Sequence, residues 1–424
     1  MSRTPSCSAA VFNSLFLRLP AQRLDLSVTG AAEFRSFRLE LQISLNKDGV
    51  AMEFMDLLKH MVEVDASDIY ITAGCPAMFR IEGVTQPWGE EALSSEQTAQ
   101  MAASVMSEKQ RKEFLETFEM NLALAYEELG RFRVNIFKQR GQVGMVIRQI
   151  KVKILTLEQL KLPPSLADIV MTKRGLILVV GATGSGKSTS LAAMIDYRNS
   201  SSPGHIITIE DPIEFVHEHK KSVITQREVG MDTHTFHSAL KNTLRQAPDV
   251  ILVGEIRDTE TMEHAIEFAE TGHLCLGTLH ANNANQAIER VMNFFPEERH
   301  PQIYMQLSLN LRSIISQRLI RTTDGHRAAA VEILLDTPRV KDLILKGEIG
   351  LLKEAMGKGT QEGMQTFDQA LLNLYKEKRI SLEDALVNAD SANDLRLKIK
   401  MEKIGAGEGA ESGTEEEDGL KLSI

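Results

Sequence analysis

The stretch GATGSGKST, residues 181–189, contains the residue types and spacing that most directly indicate chemistry. It follows the apolar segment GLILVV and precedes a helical pattern, so G-x-x-x-x-G-K-S stands in the strand–turn–helix context of a phosphate-binding loop. Its glycines let backbone N–H groups turn onto a β-phosphate at a helix N-terminus. Lys187 would bring charge to the β and γ oxygens, and the Ser188 hydroxyl would bind Mg²⁺. The predicted ATP-binding residues are Gly181, Ala182, Thr183, Gly184, Ser185, Gly186, Lys187, Ser188 and Thr189.

A phosphate-binding loop that hydrolyses ATP also needs carboxylates on neighbouring strand ends. The segment PDVILVGEIRD supplies Glu255, preceded by Gly254 where many such proteins carry Asp. The segment ITIEDPIEF adds Glu210, Asp211 and Glu214, although a solvated acidic turn would have the same composition. One of these carboxylates could accept a proton from the attacking water and another could hold Mg²⁺. From the residues alone, the roles of Glu214 and Glu255 are exchangeable.

A histidine stands at each end of the apolar strand pattern in TGHLCLGTLHANNA. A histidine at a strand end more often packs or hydrogen-bonds than performs chemistry. His280 is followed by small polar residues, whereas His273 precedes the strand. By itself the segment therefore favours a structural role for both.

The chain divides by pattern into four parts. Residues 1–51 show no sustained period, and we interpret them as an extension or an over-called translation start. Residues 52–160 read as an α+β domain with a mostly antiparallel sheet, and 161–395 as an α/β domain with a parallel sheet covered on both faces, followed by amphipathic helices. Residues 396–424 are Gly-rich and acidic, which predicts a disordered tail.

The composition excludes several classes of protein. The formal net charge is -10, so a nucleic-acid translocase is disfavoured and no nucleic-acid partner is expected. The three cysteines, Cys7, Cys75 and Cys275, are far apart, which argues against disulfides and a thiolate zinc site and favours the cytoplasm. No apolar run is long enough for a transmembrane helix.

Four segments in fixed order, GATGSGKST, TIEDPIEF, LVGEIRD and TGHLCLGTLHANNA, resemble the secretion-superfamily ATPases of type II secretion and type IV pili. The similarity runs from about Met52 to the helices near residue 390. It is closest to the pilus-retraction branch of PilT/PilU-type proteins, and the acidic tail favours the PilU type. The tetracysteine zinc insertion common in extension and secretion members is missing from the sequence, whereas LILKGEI only loosely matches the C-terminal motif of the retraction branch.

The resemblance implies a RecA-like P-loop ATPase domain preceded by a smaller PAS-like domain, in a homo-hexameric ring. It assigns Glu214 to the Asp box, Glu255 to the Walker B strand, and His273 and His280 to the His box. Glu214 would be the general base, Glu255 would bind Mg²⁺ with Ser188, and His280 would sense the γ-phosphate. Arg131 and Arg133, on one face of the strand pattern GRFRVNIF, could reach a phosphate as fingers, or could simply form a solvated strand face.

The expected function is a hexameric, Mg²⁺-dependent ATPase that powers type IV pilus retraction and hence twitching motility. The expected location is the cytoplasmic side of the inner membrane, against a pilus platform protein and with a paralogous retraction ATPase as a further partner. Two alternatives stay open: an accessory ring coupled to a partner motor, and an ATPase of pilus assembly or type II secretion. The acidic tail would serve solubility or recruit a partner.

Overall fold

A computed structural model describes residues 47–81, 83–150 and 153–405 of the 424-residue chain. These residues form two compact units: one extends to Met120 and includes Asn135–Val146, and the other contains Asn121–Val134 and the chain from Ile147 onward. The domain bounds 52–160 and 161–395 stay predictions, and the predicted extension up to residue 46 lies outside the described residues.

The described residues of the first part of the chain, 47–81 and 83–150, form three helices and a six-stranded sheet. Strand order across this sheet is β3-β2-β1-β6-β5-β4, and β1, β2 and β3 pair antiparallel. Ser94 and Ser107 start α2 and α3 with reciprocal side-chain caps. The elements are α1 Lys47–Glu63, β1 Asp68–Ile71, β2 Ala77–Ile81, β3 Val84–Trp88, α2 Ser95–Val105, α3 Glu108–Thr117, β4 Glu119–Tyr126, β5 Gly130–Gln139 and β6 Gln142–Ile150.

Two details of this region bear on the predictions. Helix α1 begins at Lys47, before the predicted start of the ordered chain at Met52. Along β5, Phe132, Val134 and Ile136 are fully buried while the residues between them are partly exposed, so the predicted period-two alternation is confirmed. The predicted likeness to a PAS domain stays a prediction.

The second part of the chain is a seven-stranded sheet with helices. Strand order is β13-β12-β7-β11-β10-β8-β9, parallel except for β13, which pairs antiparallel with β12. The elements up to this last strand are α4 Ser165–Val170, β7 Gly175–Val180, α5 Lys187–Ser201, β8 Gly204–Glu210, β9 Ser222–Glu228, α6 Phe236–Thr243, β10 Val250–Val253, α7 Thr259–Glu270, β11 Leu274–Leu279, α8 Ala284–Met292, α9 His300–Asn310, β12 Leu311–Arg321 and β13 Arg327–Leu335.

Helices cover both faces of this sheet. All six residues of β7 are buried. Leu176, Leu178 and Val180 belong to the hydrophobic cluster on one face, whereas Ile177 and Val179 belong to the cluster on the other. A strand of a parallel sheet that is covered on both faces is buried at every position, which explains the continuous apolar composition of these strands. The predicted α/β class is confirmed.

Five further helices follow the sheet in the described chain, and the last of them ends it: α10 Pro338–Leu345, α11 Leu352–Lys358, α12 Phe367–Lys376, α13 Leu382–Val387 and α14 Ala392–Gly405. Helix α14 passes residue 396, the predicted start of the tail, because Leu395 and Ile399 are buried in a core cluster with Phe367. The rest of the predicted tail lies outside the described residues. Among the helices of the described ranges, none is long and apolar enough to cross a bilayer.

Candidate functional site

The predicted phosphate-binding loop connects the buried strand β7 to helix α5. Gly184 has φ of +76°, and Gly186, which precedes the first helical residue Lys187, has φ of +87°. Both values are in the left-handed region that favours glycine. At Gly186 a Cβ would also lie 2.7 Å from Gln317 Nε2, so that side chain would have to move from its hydrogen bond to Ser185. The loop conformation thus requires the glycines of the motif.

Lys187 folds back over the loop. Its ammonium donates hydrogen bonds to the carbonyl oxygens of Gly181 and Ala182, at 2.8 and 2.9 Å. Burial lowers the pKa of Lys187, whereas the negative charges of the nearby Glu255 and Glu214 raise it. The carboxylates therefore favour the charged form of Lys187, which a triphosphate needs.

A cleft of about 230 Å³ lies beside the loop, and we name it the acidic cleft. Its walls combine the start of α5 with the carboxyl ends of three strands of the sheet, which is where ligands bind in open α/β sheets. Its polar lining residues are Thr183, Gly184, Lys187, Ser188, Glu210, Asp211, Glu214, His217, Glu255, Thr278 and His280. The predicted lysine, hydroxyl, carboxylates and histidine thus face one volume.

Glu255 lies at the centre of an ion-pair group. Its carboxylate contacts Arg257 Nη2 at 2.5 Å and His280 Nε2 at 2.8 Å. Arg257 Nη1 also lies 3.5 Å from Asp211 Oδ2. The hydrogen bond to Glu255 raises the pKa of Arg257. Both oxygens of Glu255 are therefore occupied by cationic or hydrogen-bonding partners.

Glu210 ends β8 and lines the acidic cleft. Burial raises its pKa to about 7, although Thr208 and Gln226 donate hydrogen bonds to it at 2.7 and 3.2 Å. A Cβ on Gly254 would lie 2.9 Å from Glu210 Cα and from the carbonyl of Ile209. The glycine at the position where many P-loop proteins carry Asp is thus explained by the close approach of the β8 backbone.

The segment that carries Glu214 is held by strand β9. Gln226 donates to the carbonyl of Phe215 at 2.9 Å and accepts from the amide of His217 at 2.8 Å. The amide of Ile213 donates to Glu228 at 3.1 Å. Because these bonds fix the backbone on both sides of Glu214, its exposed carboxylate projects from a defined loop into the cleft.

Comparison with known proteins defines the family. Residues 45–377 match the family model described as type II/IV secretion system protein. The chain belongs to this family. The type IV pilus ATPase PilU of Pseudomonas aeruginosa is 56% identical over 374 residues, 88% of this chain and 97% of that protein. The type IV pilus retraction ATPase PilT of the same organism is 43% identical over 334 residues, 79% and 97% of the two chains. The chain is thus of the PilT/PilU type and nearer PilU.

Solved structures of related ATPases agree with this assignment. A crystal structure of the pilus retraction motor PilT with bound ADP has a TM-score of 0.76 and 42% identity, and covers 81% of this chain and 98% of that one. The ATPase DotB of Legionella pneumophila has a TM-score of 0.67 and 28% identity, over 79% and 94% of the two chains. The RecA-like ATPase fold with its C-terminal helices is confirmed.

The structure distributes the predicted family residues over several places. Thr183, Gly184, Lys187 and Ser188 line the acidic cleft, whereas the residues Gly181, Ala182 and Ser185 line the opposite side of the loop. Gly186 and Thr189 line neither side.

The other predicted residues separate in the same way. Glu214, Glu255 and His280 meet in the acidic cleft, and His280 directly follows β11. His273 precedes β11, at its far end, and bonds to Thr271. Arg131 and Arg133 are on β5 and line no part of the acidic cleft, so their role as fingers stays a prediction.

The acidic cleft fits a Mg²⁺ ion that is coordinated by the protein and a bound nucleotide together. In the described part of the chain, no group of three or more His, Cys, Asp or Glu side chains is arranged to hold a metal ion. Mg²⁺ usually takes only one or two protein ligands and completes its shell with water and phosphate oxygens. Oxygen donors from Ser188 and Glu255 on one cleft match that habit.

The sequence did not identify three polar residues that support the site, one at its rim and two behind it. Arg257 pairs with Glu255, as described above. Gln317, on β12, donates to the carbonyl of Ser185 at 2.9 Å and accepts from Ser190 Oγ at 2.7 Å. Glu332, on β13, accepts from the amide of Ala284 at 2.8 Å, just after the His280 segment. A signal was present for Glu332, because it interrupts the apolar run of β13, whereas Gln317 stands between Ser316 and Arg318 and carries no such signal.

Proposed function

We propose that the protein is a Mg²⁺-dependent ATPase that works as a homo-hexameric ring and powers type IV pilus retraction. The observation that carries the proposal is the acidic cleft, where Lys187 and Ser188 face Glu214, Glu255 and His280. Two similar proteins of Pseudomonas aeruginosa, named a type IV pilus ATPase and a type IV pilus retraction ATPase, support the motor function.

In this proposal Glu214 and Glu255 have different chemical roles. Glu214, exposed on a fixed loop, accepts the proton of the attacking water, and Glu255 orients Mg²⁺ and its waters together with Ser188. The bound ion would polarise the phosphate oxygens. Because Arg257 and His280 occupy both oxygens of Glu255, at least one of them must exchange partners when nucleotide binds.

His280 is the proposed sensor of the γ-phosphate. Its imidazole contacts Glu255 and is about half exposed. The side chain can therefore rotate toward a phosphate without opening a void in the core. The segment after it continues into α8, whose first amide is held by Glu332. Release of His280 after hydrolysis would move this segment and rotate the N-terminal domain of one chain against the next, a hinge motion that performs work.

The remaining parts of the proposal concern the hexameric ring, its domains and its location. Each chain contributes a PAS-like domain of residues 52–160 and an ATPase domain of residues 161–395, and Arg131 and Arg133 act as phosphate-stabilising fingers. The ring would sit at the cytoplasmic face of the inner membrane against the pilus platform protein, with a paralogous retraction ATPase as a further partner. No nucleic-acid partner is proposed, in keeping with the net charge of -10.

The test is the ATPase rate of size-fractionated protein, with and without Mg²⁺, beside Lys187→Ala and the control Lys241→Ala. Lys241 is exposed on α6 and lies outside the cleft. We expect turnover in a hexamer-sized fraction, loss of at least 100-fold in Lys187→Ala, and an unchanged rate in the control. A ring that binds ATP but barely hydrolyses it, and a Lys187→Ala variant that still restores retraction in cells, would instead indicate an accessory ring.

A further inference from the structure

The segment of residues 211–221 connects β8 to β9 and carries Glu214. Besides the bond from Ile213 to Glu228 described above, two carboxamide side chains hold its backbone. Gln226, on β9, bonds to residues just after Glu214, whereas Asn199, on α5, bonds to the end that leads into β9. We name Gln226 the near anchor of the segment and Asn199 its far anchor.

The far anchor lies away from the acidic cleft. Asn199 is fully buried and donates to the carbonyl of Glu218 at 2.8 Å. Its oxygen accepts from the amides of Lys220 and Ser222, at 3.2 and 3.3 Å. These four residues line no part of the acidic cleft. The far anchor therefore holds the entry into β9 and does not reach the site of the proposed chemistry.

The near anchor is tied to the cleft itself. Gln226 donates to Glu210 Oε1 at 3.2 Å, and Thr208 Oγ1 donates to the same oxygen at 2.7 Å. Thr208 and Gln226 are paired across β8 and β9, and Glu210 follows two positions later on β8, so the three side chains share one face of the sheet. A carboxyl group that lines the cleft thus orients the carboxamide that holds the backbone after Glu214.

The orientation of the Gln226 carboxamide follows from its three partners. Its NH₂ group has two acceptors, Glu210 and the carbonyl of Phe215, and its oxygen has one donor, the amide of His217. A carboxamide turned by half a rotation would set its NH₂ group against the amide and its oxygen against an acceptor. Gln226 therefore holds the segment in one arrangement.

We propose that Gln226 is a positioning residue of the ATPase reaction, which holds the carboxylate of Glu214 at the attacking water, and that Glu210 acts through Gln226 rather than as a base or a metal ligand. The inference rests on the proposed role of Glu214 as general base. A general base must lie within hydrogen-bond reach of the proton that it abstracts. A displacement of about 1 Å can lower the rate about 100-fold.

The experiment is a double-mutant cycle between Gln226 and Glu214, measured as kcat and KM for ATP with the full chain. Gln226→Met removes the near anchor, and the matched control Asn199→Leu removes the far anchor. Each substitution deletes one carboxamide with its three hydrogen bonds and changes the side-chain volume little. Each is also combined with Glu214→Gln, and urea unfolding of every variant measures its stability.

We expect Gln226→Met to lower kcat about 100-fold and to leave KM within about twofold, because Gln226 makes no bond to the phosphate-binding loop. In the Glu214→Gln background the same substitution should change kcat by about twofold or less, since residues that act as a unit are not additive. Asn199→Leu should lower the urea midpoint about as much as Gln226→Met does, yet leave kcat within about twofold.

An equal loss of kcat from Gln226→Met in both backgrounds, or an equal loss from Asn199→Leu, would overturn the inference while leaving the proposed ATPase function in place. If Gln226→Met does not fold, Gln226→Glu replaces it in the cycle, because it keeps the acceptor for the His217 amide and loses both donated bonds. Unchanged turnover in Glu214→Gln alone would remove Glu214 as the base, and this inference would fail with that role.

Discussion

Two groups of polar side chains lie around the acidic cleft and the phosphate-binding loop, and they differ in exposure. The ion-pair group of Glu255, Arg257 and His280 stands at the rim of the acidic cleft, with side chains 20%, 55% and 49% exposed. Gln317 and Glu332, on the neighbouring strands β12 and β13, are only 3% and 1% exposed. Glu255 and His280 line the cleft, with Arg257 bonded to Glu255, and the second group lies behind the loop and the start of α8.

This difference separates chemistry from support. Ion pairs between exposed groups contribute little to folding and rearrange at small cost. Buried polar groups are costly to leave without partners, so they hold backbone in one position. We therefore expect substitutions in the Glu255 group to alter turnover with little effect on stability, and substitutions at Gln317 and Glu332 to alter stability and nucleotide affinity.

The largest expected effect tests the rim group. Glu255→Gln keeps the shape of the side chain but removes the charge that orients Mg²⁺ and the attacking water. We expect kcat of the ATPase to fall by roughly 10²–10⁴-fold, the range of a lost acid–base or orienting group. Nucleotide should stay bound, because Lys187 and the loop amides are intact. Steady-state ATPase assays and a nucleotide-binding titration measure the two quantities.

The control for this variant is Glu289→Gln, on the exposed face of α8. The free energy of unfolding should change by less than about 1 kcal/mol in both variants, since the partners of Glu255 are exposed. Unchanged turnover in Glu255→Gln would remove Glu255 from the mechanism. A large loss of stability would contradict the separation between the two groups.

The second effect concerns pH and the buried group. Burial raises the pKa of Glu332 from its ordinary value of 4.5 to about 7, although Ala284 and Ser316 donate hydrogen bonds to it. Between these values the folded protein retains a proton that the unfolded chain has lost. The stability that Glu332 gives is therefore complete below pH 4.5 and is lost as the pH rises toward 7.

Glu332→Gln should remove this dependence. Both hydrogen bonds reach one oxygen of Glu332, which the amide oxygen of Gln replaces. Relative to the unmodified protein, the variant should gain about 3 kcal/mol of unfolding free energy between pH 4.5 and 8, because the pKa rises by about 2.5. Urea unfolding at several pH values measures this gain. The exposed Glu362→Gln is the control, and a gain of equal size there would show that burial of Glu332 is not the cause.

The same two groups show what could be predicted from the sequence. The loop and the four strand-end acids Glu210, Asp211, Glu214 and Glu255 follow strands of a parallel sheet, so their meeting in one cleft could be predicted. His280 was added to them only by the family resemblance. Strand β7 could be predicted as well, because all its residues are apolar and a strand buried on both faces needs that composition.

The supporting residues could not be placed in the same way. Ser190 and Gln317 are 127 positions apart in the chain, and their hydrogen bond depends on β12 pairing with β7. The pairing order of a sheet is a property of tertiary packing that local patterns do not contain. A buried Gln or Glu in an apolar strand signals that some partner exists, but only the fold identifies that partner.

The smallest expected effect tests the support of the loop itself. Gln317→Met preserves volume and length but leaves the carbonyl of Ser185 and the hydroxyl of Ser190 without their partner. We expect a loss of about 2 kcal/mol in unfolding free energy. Because the loop amides then hold phosphate less firmly, KM for ATP should rise severalfold while kcat changes less. The exposed Gln302→Met on α9 is the control. A fall in kcat at constant KM would mean that Gln317 supports the chemistry of the acidic cleft rather than the position of the loop, and the contrast between the two groups would then fail.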